Sequence, residues 1–234
     1  FNRTQSKTLA LQESCGLIPA DSNCAVAEMS NVIVLAVKPQ MLQDVIPEIK
    51  GQINDNKVII SIATGKDINY YESFFGADTP IIRVMPNINS KVGASISAIC
   101  ANDPGEKYLD LAISMFETVG TAISLPENQL SAFGAIAGAS VAFVYLYIDA
   151  LARAGVKAGL PKPLATKISC DTVLGSAKLV AESGEHPMAL VDQVCSPAGT
   201  TIEGIQTLQR LGFESAVHQA IDAVIKKDEL IRKG

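Results

Sequence analysis

In the first half of the chain, apolar residues fall in short unbroken runs separated by stretches with helical spacing. Asn31 to Val37, Lys57 to Ile62 and Pro80 to Val84 are such runs, the pattern of strands buried on both faces. Met41 to Ile49 and Asp67 to Phe75 lie between them, each long enough for a crossover helix. This βαβ alternation predicts a doubly wound, Rossmann-like parallel sheet with right-handed crossovers. A strand near Ala94 to Cys100, a helix near Pro104 to Val119 and a strand near Ala122 to Leu125 extend it.

After Pro126 the β-branched runs give way to long helical periodicity. Gln129 to Ala154 reads as one long helix, and Pro161 opens another that stops at Gly184. His186-Pro187 starts a shorter helix, a fourth begins near Thr200 and ends at Gly212, and a final one has Ala216, Val217, Ala220, Ile221, Val224 and Ile225 on one face. The expected organisation is an α/β domain over residues 1–125, followed by an all-helical domain over 126–234. In the long helix, Gly134 and Gly138 overlap Ala135 and Ala139 at a spacing of four, a groove into which another helix backbone could fit. That suggests either a helix buried between subunits or a central helix within one chain.

Composition narrows the class. Nearly half of the 234 residues are apolar, enough for a substantial core. The net charge of -5 is spread over both halves, so a nucleic-acid partner is not expected. Five scattered cysteines without a C-x-x-C pair suit small buried thiols in a reducing compartment, and the expected location is cytoplasmic. His186 and His218 are the two histidines, too few for a zinc site or a Ser-His-Asp triad, and no metal is expected. The apolar run from Ala132 to Ile148 is rich in Gly, Ala and Ser, so a buried helix is expected rather than a membrane span. The chain opens at Phe1 as if inside a structural unit, and the glycine-rich phosphate loop of a dinucleotide fold is expected upstream of it.

Candidate chemistry gathers in two regions. Between Asp192 and Phe213, Ser196-Pro197 ends one segment, Gly199 would let a ligand approach the backbone, and Thr200 with Glu203 reads as a capping box. The free N–H groups of Gly199, Thr200 and Thr201 at the positive end of the next helix would hold a carboxylate or phosphate. The second region is the carboxyl edge of the predicted sheet, where Leu35 to Gln40, Ser61 to Gly65 and Arg83 to Asn87 end three strands. Open α/β sheets bind ligands there. Asn2-Arg3-Thr4 adds a basic group suited to the 2′-phosphate of NADP, and Lys7, four residues on, would share a helix face with Arg3 and add charge.

The block from Asp192 to Phe213 resembles the signature of the pyrroline-5-carboxylate reductases, D-x-V-x-S-P-x-G-x-T-[IV]-x-G-x-x-x-L-x-x-x-G-[FY]. The turns Ala36-Val37-Lys38-Pro39, Ser61-Ile62-Ala63-Thr64-Gly65 and Arg83-Val84-Met85-Pro86-Asn87 are similar to that family's A-V-K-P, S-I-A-A-G and R-x-M-P-N-T-P motifs. The resemblance implies reduction of the cyclic imine of 1-pyrroline-5-carboxylate to L-proline by NADPH, or by NADH. It implies that Asn2, Arg3, Thr4, Ala36, Val37, Lys38 and Pro39 line the cofactor, and that Met85, Pro86 and Asn87 form the floor beneath the nicotinamide. Ser196, Gly199, Thr200 and Thr201 would bind the substrate carboxylate, with Thr201 as hydrogen-bonding and proton-relay group. Asp149 matches a usually acidic position that orients the nitrogen or a water, though it could equally pair with Arg153. An obligate homodimer, assembled further into a ring, is implied as well.

Two departures stand out. Asn87-Ile88-Asn89 replaces the family's Asn-Thr-Pro, and Gly138-Ala139-Ser140-Val141 replaces Gly-Ser-Gly-Pro. Without that proline, a straighter long helix is expected. The competing readings are a β-hydroxyacid dehydrogenase-like enzyme and a non-catalytic NADP-binding regulator or scaffold. The first lacks its Lys–Asn pair between Gly138 and Ile148, and the intact Gly199-Thr200-Thr201 speaks against the second.

Overall fold

The computed structural model describes residues 1–233, with side chains through residue 230. The chain divides into two compact units, Phe1–Gly138 together with the residues from Lys227 onward, and Ala139–Lys226. Strands give way to helices at Pro126, but the first unit runs past that point because Leu130, Phe133 and Ala135 pack inward.

The first unit is built on a five-stranded sheet in the order β1 (Val32–Leu35), β2 (Val58–Ser61), β3 (Ile81–Met85), β4 (Ser95–Ala101) and β5 (Gly120–Ser124). β1, β2 and β3 are parallel, as the βαβ alternation predicts. β4 runs antiparallel to β3, and β5 is parallel to β4, so the sheet is mixed. A short connection through Ile88–Val92 returns the chain beside β3 directly, where a parallel strand would need a full crossover.

Helices α1 (Gln5–Cys15) and α2 (Asn23–Met29) precede the sheet, and neither shows in the hydrophobic pattern, because each buries only one small residue. α3 (Leu42–Ile49) buries Leu42, Val45, Ile46 and Ile49 at helical spacing, and α4 (Ile68–Phe75) buries Ile68 and Tyr71. On the opposite face, α5 (Leu109–Glu117) covers Val58, Ile60, Ile82, Val84 and Ile99. Lys57 looks like the first residue of a strand. Its buried ammonium instead donates to the carbonyls of Ala27, Glu28 and Ser30 at 2.8, 3.3 and 2.6 Å, closing the end of α2.

The long helical run is not α-helical throughout. α6 (Leu130–Phe133) passes into a π-helical segment, Gly134–Ala139, before α7 (Ser140–Lys157). The irregularity survives without the family's proline, since the carbonyl of Ala137 is captured from outside by the Asn87 side chain.

The second unit carries α7, α8 (Lys162–Ser183), α9 (Pro187–Val194), α10 (Thr200–Arg210) and most of α11 (Phe213–Lys233). α7 and α8 pack where Gly155 meets Ala165. The expected burial of the long helix is not met within one chain: Ile136, Val144, Tyr145, Leu146 and Tyr147 are exposed, as are Leu174, Leu179 and Leu211. By length and composition the run from Glu127 to Lys157 could cross a membrane. The five cysteines are free, but Cys100 alone is buried, where buried thiols were expected throughout.

Candidate active site

Because β1, β2 and β3 are parallel, their carboxyl ends meet at one edge, and the three predicted turns gather there. After β1, Ala36 and Lys38 are exposed while Val37 packs against the core, and Pro39 opens a single helical turn through Met41. After β2, Thr64 precedes Gly65, whose φ of +80° suits glycine. At the end of β3 come Met85, Pro86 and Asn87, each half-buried. A small cleft opens on this edge between Ile62, Ala63, Thr64, Met85, Pro86 and the Arg83 side chain. Its walls combine the apolar side chains of Ile62, Met85 and Pro86 with the polar Thr64 and Arg83.

Under the cleft lies a polar row that sequence reasoning missed. Ser61, Arg83 and Cys100 are register partners across β2, β3 and β4. The Ser61 hydroxyl shares a 2.6 Å hydrogen bond with Tyr71. The buried Arg83 guanidinium pairs with Glu127, whose same oxygen accepts from the Ile68 N–H at 2.9 Å, so Glu127 also caps α4. Burial pushes the Cys100 thiol up to about 11. The only sequence signal was an arginine inside an apolar run.

Asn87 spends its carboxamide inside the protein. Its Oδ1 accepts from the Asn89 N–H at 3.1 Å and its Nδ2 donates to the Ala137 carbonyl at 3.0 Å. At the chain start, Asn2, Arg3 and Thr4 are exposed, with Thr4 N–H donating to Asn2 Oδ1 at 2.9 Å. α1 begins only at Gln5, so Arg3 precedes the helix and does not share a helix face with Lys7 as expected.

The second unit holds the anion-binding candidate. Ser196-Pro197-Ala198-Gly199 forms a turn in which Gly199 N–H donates to the Ser196 carbonyl at 3.0 Å. Proline in its second position and a φ of 56° at Ala198 in its third make it type II. Ala198 is the one non-glycine residue with positive φ among the described residues, a conformation that costs alanine about 1 kcal/mol. The turn changes three expectations. Gly199 is the N-cap of α10, and no side chain caps it, so the Thr200–Glu203 capping box does not form. The Gly199 N–H is used by the turn and is not free for a ligand. The space beside Gly199 is taken by the Ser196 hydroxyl, which a Cβ there would have to push aside.

What remains open is the start of α10. Thr200 and Thr201 are its first two residues, both exposed, and their amides are among those every helix start leaves unpaired. His186 behaves as helix punctuation, its Nδ1 accepting from the Met188 N–H at 3.2 Å. Asp149, on α7, binds Lys162 at 2.6 Å and Arg153 at 2.5 Å, and these two cations hold its carboxyl below the usual carboxylate range. Among the described residues, no cluster of ligating side chains could hold a metal.

A ligand edge formed by parallel strands, with a small cleft on it and a separate helical unit bearing an anion-ready helix start, defines a two-part nicotinamide-dependent oxidoreductase. Its helical part, residues 127–231, matches the family described as pyrroline-5-carboxylate reductase dimerisation. The chain belongs to the pyrroline-5-carboxylate reductase family. Residues 1–65 match a second family, described as NADP oxidoreductase coenzyme F420-dependent. The chain is 39% identical to pyrroline-5-carboxylate reductase from Synechocystis, over 95% of this chain and 83% of that one. A solved pyrroline-5-carboxylate reductase from Coxiella burnetii superposes with a TM-score of 0.94 at 30% identity, covering 100% of this chain and 87% of that one. The Plasmodium falciparum pyrroline carboxylate reductase, solved with NADP bound, gives 0.83 at 31% identity over 91% and 81%. The match to a dimerisation family gives the exposed apolar helices a protein partner, a second copy of the chain.

Proposed function

We propose that the protein reduces 1-pyrroline-5-carboxylate to L-proline with NADPH, as a cytoplasmic homodimer that assembles further into a ring, with no nucleic-acid or membrane partner. The observation that carries this reading is the start of α10, where two free amides and two uncapped threonine hydroxyls stand together. A carboxylate fits such a helix start, because unpaired N–H groups and the positive end of the helix dipole both favour it.

The Thr200 and Thr201 amides hold the substrate carboxylate, and Ser196 with Gly199 shapes the turn that aims them. The Thr201 hydroxyl, one atom that both donates and accepts, hydrogen-bonds the ring nitrogen and relays its proton. Asp149 stays ionised through its two cations, so it orients the nitrogen or a water and does not serve as the proton donor. Asn2, Arg3 and Thr4 hold the 2′-phosphate end of the cofactor, Ala36, Lys38 and Pro39 its ribose with Val37 through backbone alone, and Met85 with Pro86 the nicotinamide. When bound there, NADPH supplies a hydride to the imine carbon.

Loss of NADPH absorbance with 1-pyrroline-5-carboxylate, measured beside NADPH binding, tests the reading. Turnover with proline as product is expected. Binding without turnover favours a regulator of the same fold.

A further inference from the structure

Asn87 lies two residues beyond the end of β3, and Gly134–Ala139 is the wide-turned segment of the long helix. Two separate contacts join them. Asn87 Nδ2 donates to the Ala137 carbonyl at 3.0 Å. At Gly134 the helix comes so near the Met85 side chain that an added Cβ would stand 2.9 Å from Sδ. Met85 itself lines the cleft.

A π turn carries one residue more than an α turn and leaves its carbonyls poorly matched to the regular ladder. Asn87 meets one of these carbonyls, and its other carboxamide end is fixed by the Asn89 N–H, so the side chain is clamped at both ends. The wide turn in turn sets glycine, with no side chain, against the Met85 thioether. Methionine is the most adaptable apolar side chain and takes whatever shape its neighbours leave it. Its position in the cleft is therefore set from behind by the helix, and the helix is set by Asn87.

We infer that Asn87 is a positioning residue for hydride transfer: through the π segment and Gly134 it fixes Met85 beneath the nicotinamide, and it does not itself serve as the cofactor contact the sequence suggested. This rests on the reading that the nicotinamide end of NADPH lies over Met85 and Pro86. Misplacing reacting atoms by even 1 Å lowers rates by roughly a hundredfold, so a shift of the ring's support is visible in the chemical step.

Three variants of the purified protein test it. Asn87→Asp keeps the acceptor for Asn89 and removes the donor to Ala137. Gly134→Ala leaves Asn87 untouched and pushes only on the flexible end of Met85, so it folds even if the first variant does not. Met85→Ala reports on the underlying reading. The measurements are affinity for NADPH by fluorescence, affinity for adenosine 2′,5′-bisphosphate, which lacks the nicotinamide, and the kinetic isotope effect with 4-deuterated NADPH. For Asn87→Asp and Gly134→Ala, kcat should fall on the order of tenfold, the isotope effect should rise, NADPH should bind more weakly and the bisphosphate should bind as before. A purely structural role lowers the melting temperature and leaves the isotope effect unchanged, which overturns the inference. If Met85→Ala alone alters NADPH affinity and isotope effect, the inference fails and the cofactor reading stands. If Met85→Ala also leaves both unchanged, the cofactor reading fails and takes the inference with it.

Discussion

The Ser196 hydroxyl occupies the space that a side chain on Gly199 would need. The two residues are also joined by the backbone bond that closes the turn. Gly199→Ala should therefore push Ser196 away and swing the Thr200 and Thr201 amides off the substrate carboxylate. Hydrogen bonds to a charged group are worth about 1.5–3 kcal/mol, so KM for 1-pyrroline-5-carboxylate should rise by roughly tenfold or more. Affinity for NADPH, measured by fluorescence, should stay as it was.

Thr201→Ala separates holding the substrate from protonating it. The amide of residue 201 survives the change, while the hydroxyl is lost. Proton transfer by a placed group contributes about a hundredfold or more, so kcat should fall by that order with a smaller change in substrate KM. Steady-state kinetics over a range of pH checks this, and unchanged kcat removes Thr201 from proton transfer.

The buried Arg83 pairs with the half-exposed Glu127 at the base of the cleft, and Glu127 also caps α4. Removing one partner strands the other. Arg83→Met should cost about 1.5–3 kcal/mol of stability, measured by urea unfolding. Pairing it with Glu127→Gln, which keeps an acceptor for the Ile68 N–H, should recover a large part of that loss.

Cys100 should be silent towards thiol reagents in the native protein, while the exposed Cys15 and Cys170 react. Its burial raises the thiol from 9.0 to about 11, so the folded state keeps a proton that the unfolded chain gives up. Stability linked to Cys100 is thus intact below pH 9 and declines as pH climbs towards 11. Alkaline unfolding of Cys100→Ala beside the parent protein measures it, with a flatter decline expected in the variant.

Much of this was legible in the residues alone. The unbroken apolar runs located β1, β2 and β3, and therefore the edge where the turns meet. The same runs carry no direction, which is why the antiparallel β4 was read as one more parallel strand. The signature around Ser196 pointed to the right helix start but gave it the wrong cap, because Thr200 and Glu203 satisfy the capping-box spacing whether Thr200 lies before the helix or within it. The π segment was hidden for a different reason. Glycines and alanines at fixed spacing announce a close approach, but the geometry depends on Asn87, which lies fifty residues away. Lys57 escaped likewise, since its partners are carbonyls that belong to no side-chain pattern.

Leu146, Leu174, Leu179 and Leu211 leave a lone protomer with greasy flanks facing water. Covering them by a second copy adds to the stability of the fold, and mass action ties the two together. The melting temperature should climb as the preparation is made more concentrated, and dilute samples should unfold early and clump.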